Sequence, residues 1–363
     1  VMSGNACLKC GSHATRTYTL YDPSTDVDQD IPLCESCYSS YTPVLKKGRL
    51  VWKRSRLVTY YPPFFFTIGS RRAAEAASKF LDRLVGNRVL RKLMRAIPYV
   101  LVALSIIGSG FLIYSLVWQT TNAEVLQRMR SFYRQHPLAG IGVVGIDPLL
   151  PLAETLIALF FAVTLHELAH AFVLRMYGYD IRKVGVFFMG PIPAGAFVEP
   201  PGSVERKMKP REALELAGAG IYTNLIIAGI ALAGYLWLLS GLKPQNSEAL
   251  ALLIRAWDNP VYLFVPPLML SMLNVPSPTY PPEGWFVHSW LGTSFAFPMS
   301  VLHHAFFLNF WLAVMNSLPI RALDGGYIVP ALVRGRTGYR LSMIITTVLL
   351  IVLLIPLILF RFL

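Results

Sequence analysis

Apolar residues along this chain fall in long runs separated by charged stretches. Five runs, 97–118, 149–176, 214–239, 295–318 and 341–360, approach or exceed the roughly 20 residues a helix needs to cross a bilayer. They predict an α-helical polytopic membrane protein with about five transmembrane helices. The second run should start after Asp147-Pro148, an N-cap and N1 pair, and stop before Gly178. A different pattern occupies 184–198, VGVFFMGPIPAGAFV, where Gly190, Pro191, Pro193 and Gly195 break the apolar sequence. Helix is disfavoured there, and short strands joined by a turn are expected. At membrane depth such backbone must be buried in protein or line a cavity. Residues 262–273 are apolar but short and contain Pro266-Pro267, which suits an interfacial or re-entrant segment on the outer side.

Ahead of the first run the pattern changes again. Residues 1–45 are polar and rich in turn formers, as in a small separate domain. Residues 60–66 form an aromatic stretch interrupted by Pro62-Pro63, suited to a linker or interface. From 71 to 95, Arg and Lys alternate with Ala77, Phe80, Leu81, Leu84, Leu90 and Leu93 at helical spacing, which gives one apolar and one basic face. This helix fits the inner membrane surface, where anionic headgroups attract the basic face, or alternatively a solvated helix packed on the N-terminal domain. The organisation expected is therefore 1–45, a cytoplasmic cysteine-bearing domain; 46–95, a basic linker and amphipathic juxtamembrane helix; and 96–363, a transmembrane domain whose core runs from about 149 to 331.

Composition supports a membrane solvent: 54% of the 363 residues are hydrophobic and 15% charged, with a mean hydropathy of +0.50. A net charge of +13 is compatible with nucleic acid binding, but its distribution gives another reason. Of the 33 Lys and Arg residues, sixteen precede Ile97, seven lie in 175–211 and four in 321–340, all in alternate loops. The positive-inside rule then places the N-terminus in the cytoplasm and the C-terminus outside after five crossings. No secretory signal pattern precedes the first run, so 97–118 is expected to be a retained helix. The compact layout suits a prokaryotic cell membrane.

All four cysteines lie near the start, as Cys7-x-x-Cys10 and Cys34-x-x-Cys37. Two such knuckles, the first followed by Gly11, suit a structural zinc ribbon with tetrahedral thiolate coordination, although the 23 residues between the pairs slightly exceed the usual spacing. Disulfides or free thiols are the alternatives, and a cytoplasmic location disfavours the disulfides. Metal would supply much of the folding energy of so small a domain. A protein or nucleic acid partner of such a ribbon is a further expectation.

The chemistry concentrates in His166-Glu167-Leu168-Ala169-His170. Imidazoles at i and i+4 leave one face of a helix and can share a zinc ion, while Glu167 can take a proton from a zinc-bound water. Ionisable groups inside an apolar span are costly to bury and are functional candidates by default. At about 1.5 Å rise per residue, His166 lies about 28 Å from Asp147 and His170 about 12 Å from Gly178, which places the pair toward the cytoplasmic leaflet. A catalytic zinc usually has three protein ligands. Asp324, in Asn316-Ser317-Leu318-Pro319-Ile320-Arg321-Ala322-Leu323-Asp324-Gly325-Gly326, is the best candidate for the third. The alternatives are that Asp324 only caps the next segment, or that Glu199 takes its place. His303 and His304 are adjacent and diverge by about 100° on a helix, which favours packing or a polar contact over a metal site.

HELAH in an apolar helix, then Gly220-x-x-x-Asn224, then NSLPIRALDGG, resembles the site-2 protease family of intramembrane zinc metalloproteases over about 149–331. The resemblance implies zinc ligation by His166, His170 and Asp324, with Glu167 as base. It also implies a substrate-carbonyl role for Asn316 and a substrate role for Asn224. Ile221 stands where the family often has Pro, so an interhelical hydrogen bond remains open for Asn224. The implied activity is regulated intramembrane proteolysis of a membrane-spanning protein substrate. Two other readings compete: a CAAX-processing type of membrane zinc peptidase, whose third ligand would be a distant Glu, and a non-enzymatic metal-binding scaffold that presents the ribbon.

Overall fold

The computed structural model describes residues 6–22, 27–46, 49–54, 58–61, 65–121, 152–189, 192–200, 208–240, 242–243, 288–289, 296–333 and 335–362, with isolated positions at 127, 131 and 134. The expected cap at Asp147-Pro148 and the apolar stretch 262–273 lie outside the described residues. Two compact units result, Val1–Pro98 with His166–Ala219, and Tyr99–Leu165 with Gly220–Leu363.

In the first unit, β1 (Arg16–Asp22) and β2 (Val27–Leu33) form an antiparallel hairpin with Arg16 opposite Leu33. Ile31 and Leu33, two apart on one strand, face the same side. With Tyr18, Tyr38, Cys7 and Cys37 they make a small core. The short helix α1 (Glu35–Ser40) begins at Cys34, whose Sγ accepts the Cys37 N–H at 3.4 Å. β3 (Tyr41–Lys46) and β4 (Arg49–Arg54) follow as a second antiparallel pair.

A four-stranded antiparallel sheet then joins distant segments. β5 (Val58–Tyr61) and β6 (Phe65–Ser70) come from the stretch read as a linker, and β7 (Lys183–Met189) and β8 (Ile192–Glu199) from the broken apolar segment, in the order β5-β6-β7-β8. The expected strand pair at 184–198 is thus present. In 60–66, read as a linker or interface, strand structure stands on both sides of Pro62-Pro63, where aromatic and β-branched residues suit a pleated surface. Phe66 lies opposite Phe188 and stacks on it at 4.8 Å. Gly185 faces Gly69, and a Cβ at Gly185 would come within 2.2 Å of the Ile68 carbonyl. Glycine is required where these strands approach so closely.

The basic helix expected over 71–95 is two helices, α2 (Arg71–Val85) and α3 (Arg88–Met94). Each has a side-chain cap: Ser70 Oγ accepts from the Ala73 N–H, and Asn87 Oδ1 from Val89 and Leu90. Ala74 and Leu81 are buried, and α2 packs on β6 and β7. Phe80, Val89 and Leu93 remain exposed.

Among the described residues, four helices are long and apolar enough to cross a membrane: Arg88–Tyr114, Thr155–Met176, Pro210–Leu238 and Thr337–Leu354. They belong to α3 with α4 (Ile97–Thr121), α5 (Leu152–Met176), α6 (Pro210–Ser240) and, after α7 (Ala296–Ser317) and the short α8 (Ile328–Leu332), α9 (Gly335–Phe362). The fourth expected run, 295–318, is α7. In the second unit Ala228, Ala231, Tyr235 and Leu238 recur at helical spacing on α6 and bury against Phe306 of α7. Leu318, Ile320 and Leu349 form another core cluster.

Candidate metal centre

Helix α5 ends where the sequence places a stop. Gly178 has φ of +78°, the Tyr179 N–H bonds to the Leu174 carbonyl at 2.9 Å and the Gly178 N–H to that of Arg175 at 3.0 Å. That is the double bond of a Schellman ending, and it needs a residue that tolerates left-handed backbone. The helix therefore stays regular through His166 and His170, so both imidazoles leave one face. Their Nε2 atoms lie 3.0 Å apart.

The His170 Nδ1 lies 2.7 Å from the Leu216 carbonyl oxygen. A carbonyl can only accept, so Nδ1 carries the proton, and in the neutral ring the lone pair stays on Nε2, the atom facing His166. Between the histidines in sequence, the Glu167 Oε2 accepts the Val198 N–H at 3.1 Å. Strand β8 thus holds the carboxylate through its backbone.

Leu216 is itself secured. Its neighbour Glu215 is completely buried and accepts from the Tyr177 hydroxyl at 2.6 Å and from Arg211 Nε at 3.0 Å. The turn that starts α6 is also capped: Pro210 occupies the first helical position, and the Glu212 carboxylate accepts the Lys209 N–H at 3.1 Å. The carbonyl that sets the His170 tautomer therefore belongs to a helix end with little freedom.

The second unit contains Asn224, Asn316 and Asp324. Asn224 is fully buried on α6. Asn316 is half-buried in the last turn of α7, and Asp324 starts a 3-10 turn, Asp324–Tyr327. A Cβ on Gly325 would meet the Leu318 and Ser317 carbonyls at 2.3 and 2.4 Å. The glycine pair thus allows the Asp324 turn to lie directly against the chain that follows Asn316. His303 and His304 are each 1% exposed, and the His303 ring lies 5.5 Å from that of Tyr235. Among the described residues they join no group of three metal-ligating side chains.

Cys7, Cys10, Cys34 and Cys37 bring their sulfurs within 4.8 Å of one another, and all four are free. Hydrogen bonds to Ser12 pull the exposed Cys10 thiol down to about 6, whereas burial pushes Cys37 up to about 12. Gly11 has φ of +79° and the Cys37 N–H is directed at the Cys34 sulfur, and the four sulfurs could hold one metal ion.

Sequence reasoning found the side chains that could bind metal but not their backbone partners, Leu216 C=O and Val198 N–H, which carry no residue signature. Glu215 was findable as an ionisable residue at the head of an apolar run. Glu199, the alternative third ligand, pairs with Arg182 at 3.0 Å.

The model of peptidase family M50 matches residues 154–360. No curated protein and no solved structure matches the chain.

Proposed function

The chain belongs to peptidase family M50, the site-2 protease family of membrane metallopeptidases, and on that premise we propose that it hydrolyses peptide bonds within membrane-spanning segments of other proteins. The observation that carries the reading is the pair of Nε2 atoms 3.0 Å apart on a membrane-length helix, with a carboxylate between them in sequence. His166, His170 and Asp324 would hold the zinc, two neutral imidazoles and a carboxylate being an ordinary catalytic donor set. Bound there, zinc supplies a Lewis acid that polarises a peptide carbonyl and acidifies water.

The chain's own residues supply the rest. Glu167 takes the proton of the attacking water and passes it to the leaving amine. In the resting state its carboxylate is held by the Val198 N–H, which limits the rotation needed to reach that water. Asn316 donates its side-chain amide to the carbonyl oxygen as negative charge develops on it, and Asn224 contacts the substrate.

A helical substrate screens its own peptide bonds, so the cleaved stretch must be extended. On one side β7 is already paired with β6, and among the described residues strand β8 ends the sheet in the order β5-β6-β7-β8. A substrate strand adding to β8 would lie along the edge from which Val198 reaches Glu167. The basic residues Arg72, Lys79, Arg83, Arg88, Arg91 and Lys92 are exposed beside Phe80, Val89 and Leu93. That surface suits an anionic leaflet and, with the charge bias, a cytoplasmic N-terminus.

The test is cleavage of a panel of model membrane segments by purified wild type and Glu167→Gln, with zinc quantified in both. Product from the wild type and none from the variant, at equal zinc, is expected. Equal product from the two would defeat the assignment of Glu167.

A further inference from the structure

Arg182 stands just before β7 with its side chain only 5% exposed. A guanidinium so desolvated needs fixed partners, and it has them on two segments, one at Glu199 and one at Tyr41-Thr42, the latter about 140 residues before Arg182 in sequence. Nη1 donates to Glu199 Oε1 at 3.0 Å. Nη2 donates to the Tyr41 carbonyl at 3.0 Å and the Thr42 hydroxyl at 2.7 Å. The cation lies 5.1 Å from the centre of the Tyr18 ring, and the Arg182 backbone N–H bonds to the Glu199 carbonyl at 2.9 Å.

Each end of this fork leads to a site. Tyr41 and Thr42 directly follow the helix that begins at Cys34 and contains Cys37. Glu199 directly follows Val198, whose N–H holds the Glu167 carboxylate. The path from the cysteine cluster to the glutamate is thus α1, Arg182, the end of β8 and Glu167. A second set of ion pairs runs in parallel: Arg16 of β1 pairs with Asp180, which also accepts from Arg175 at the end of α5.

We propose that Arg182 is a positioning residue for Glu167, by which the cysteine module sets the placement of the carboxylate through strand β8. This rests on the reading of Glu167 as base and names what controls it. A mere staple would add stability and leave turnover unchanged once the protein is folded. A positioning role predicts a loss in kcat, because a small displacement of a catalytic group costs much more in rate than in binding.

The experiment uses the full chain, with zinc content, kcat and KM measured on a model membrane segment, and hydrogen exchange followed at the β8 amides. Arg182→Ala is expected to lower kcat by about 10- to 100-fold, with zinc unchanged and KM moved by less than about two-fold, and to speed exchange at Val198. Arg182→Lys should recover part of the rate, because an ammonium can reach Glu199 or Thr42 but cannot fork between them. Thr42→Val removes one acceptor while keeping side-chain shape, so it decides the question if Arg182→Ala does not fold. Its expected effect is a kcat about 2- to 5-fold lower with the same exchange signature. Wild-type kcat in these variants, or a loss wholly in KM or in zinc, would overturn the proposal. Glu167→Gln separates the two levels: full activity there defeats the base assignment itself, whereas an inactive Glu167→Gln beside a fully active Arg182→Ala defeats only the role of Arg182.

Discussion

The His170 ring shows how much of a metal centre is set by groups that are not ligands. Its Nδ1–H donates to the Leu216 carbonyl, and Leu216 follows the fully buried Glu215, which accepts from Tyr177 and Arg211. Glu215→Ala removes both acceptor sites, leaves the half-buried Tyr177 hydroxyl without its partner, and loosens the helix end that carries the carbonyl. Support of this kind typically changes metal affinity by about 10- to 100-fold. Chelator competition should therefore show Glu215→Ala releasing the active-site zinc at least about 10-fold more readily than wild type; equal release would mean that the carbonyl keeps its place without Glu215. The sequence made His166, Glu167 and His170 legible because a five-residue spacing carries their geometry. It could not disclose Leu216 or Val198, since any residue type offers the same backbone atoms.

At the scale of elements, strand β8 has two edges with different duties. Val198 directs its N–H to Glu167 and away from β7, and Ala196, two residues earlier, directs its N–H the same way. Ala196→Pro therefore removes a donor from the outward edge and spares the ladder to β7, a place where proline is tolerated in sheets. If substrate adds to that edge, cleavage should fall by about 10-fold or more, the loss of a backbone bond in a dry site, with zinc content at the wild-type level. Undiminished cleavage would exclude β8 as the docking strand. The hairpin itself was readable from Gly and Pro breaking an apolar stretch. The pairing of β6 with β7 was not, because it joins residues about 120 positions apart and strand partners leave no local trace. The division of 71–95 into two helices was signalled by Gly86-Asn87, although the amphipathic spacing continues across it.

For the whole molecule, the question is whether the two metal-competent groups among the described residues, one of cysteines and one built on imidazoles, are independent. Among the described residues the cysteine module has a core of six buried residues, small for a domain to rest on, whereas structural zinc can supply on the order of 10 kcal/mol. Cys34→Ser tests this cleanly, because serine is a good N-cap and can replace the Cys34 sulfur that accepts the Cys37 N–H. The helix start is preserved while a metal ligand is lost. Zinc content should fall by one ion per chain, and limited proteolysis should begin to cut within residues 6–46. Glu167→Gln should do the reverse, abolishing cleavage with both ions and the same resistance to protease retained. Arg182 lies between these two outcomes. If the module acts on the base through that side chain, Cys34→Ser must reproduce the kcat loss of Arg182→Ala, and the double variant must be no slower than either single one. Additive losses would instead place the module and Arg182 on separate routes to the active site.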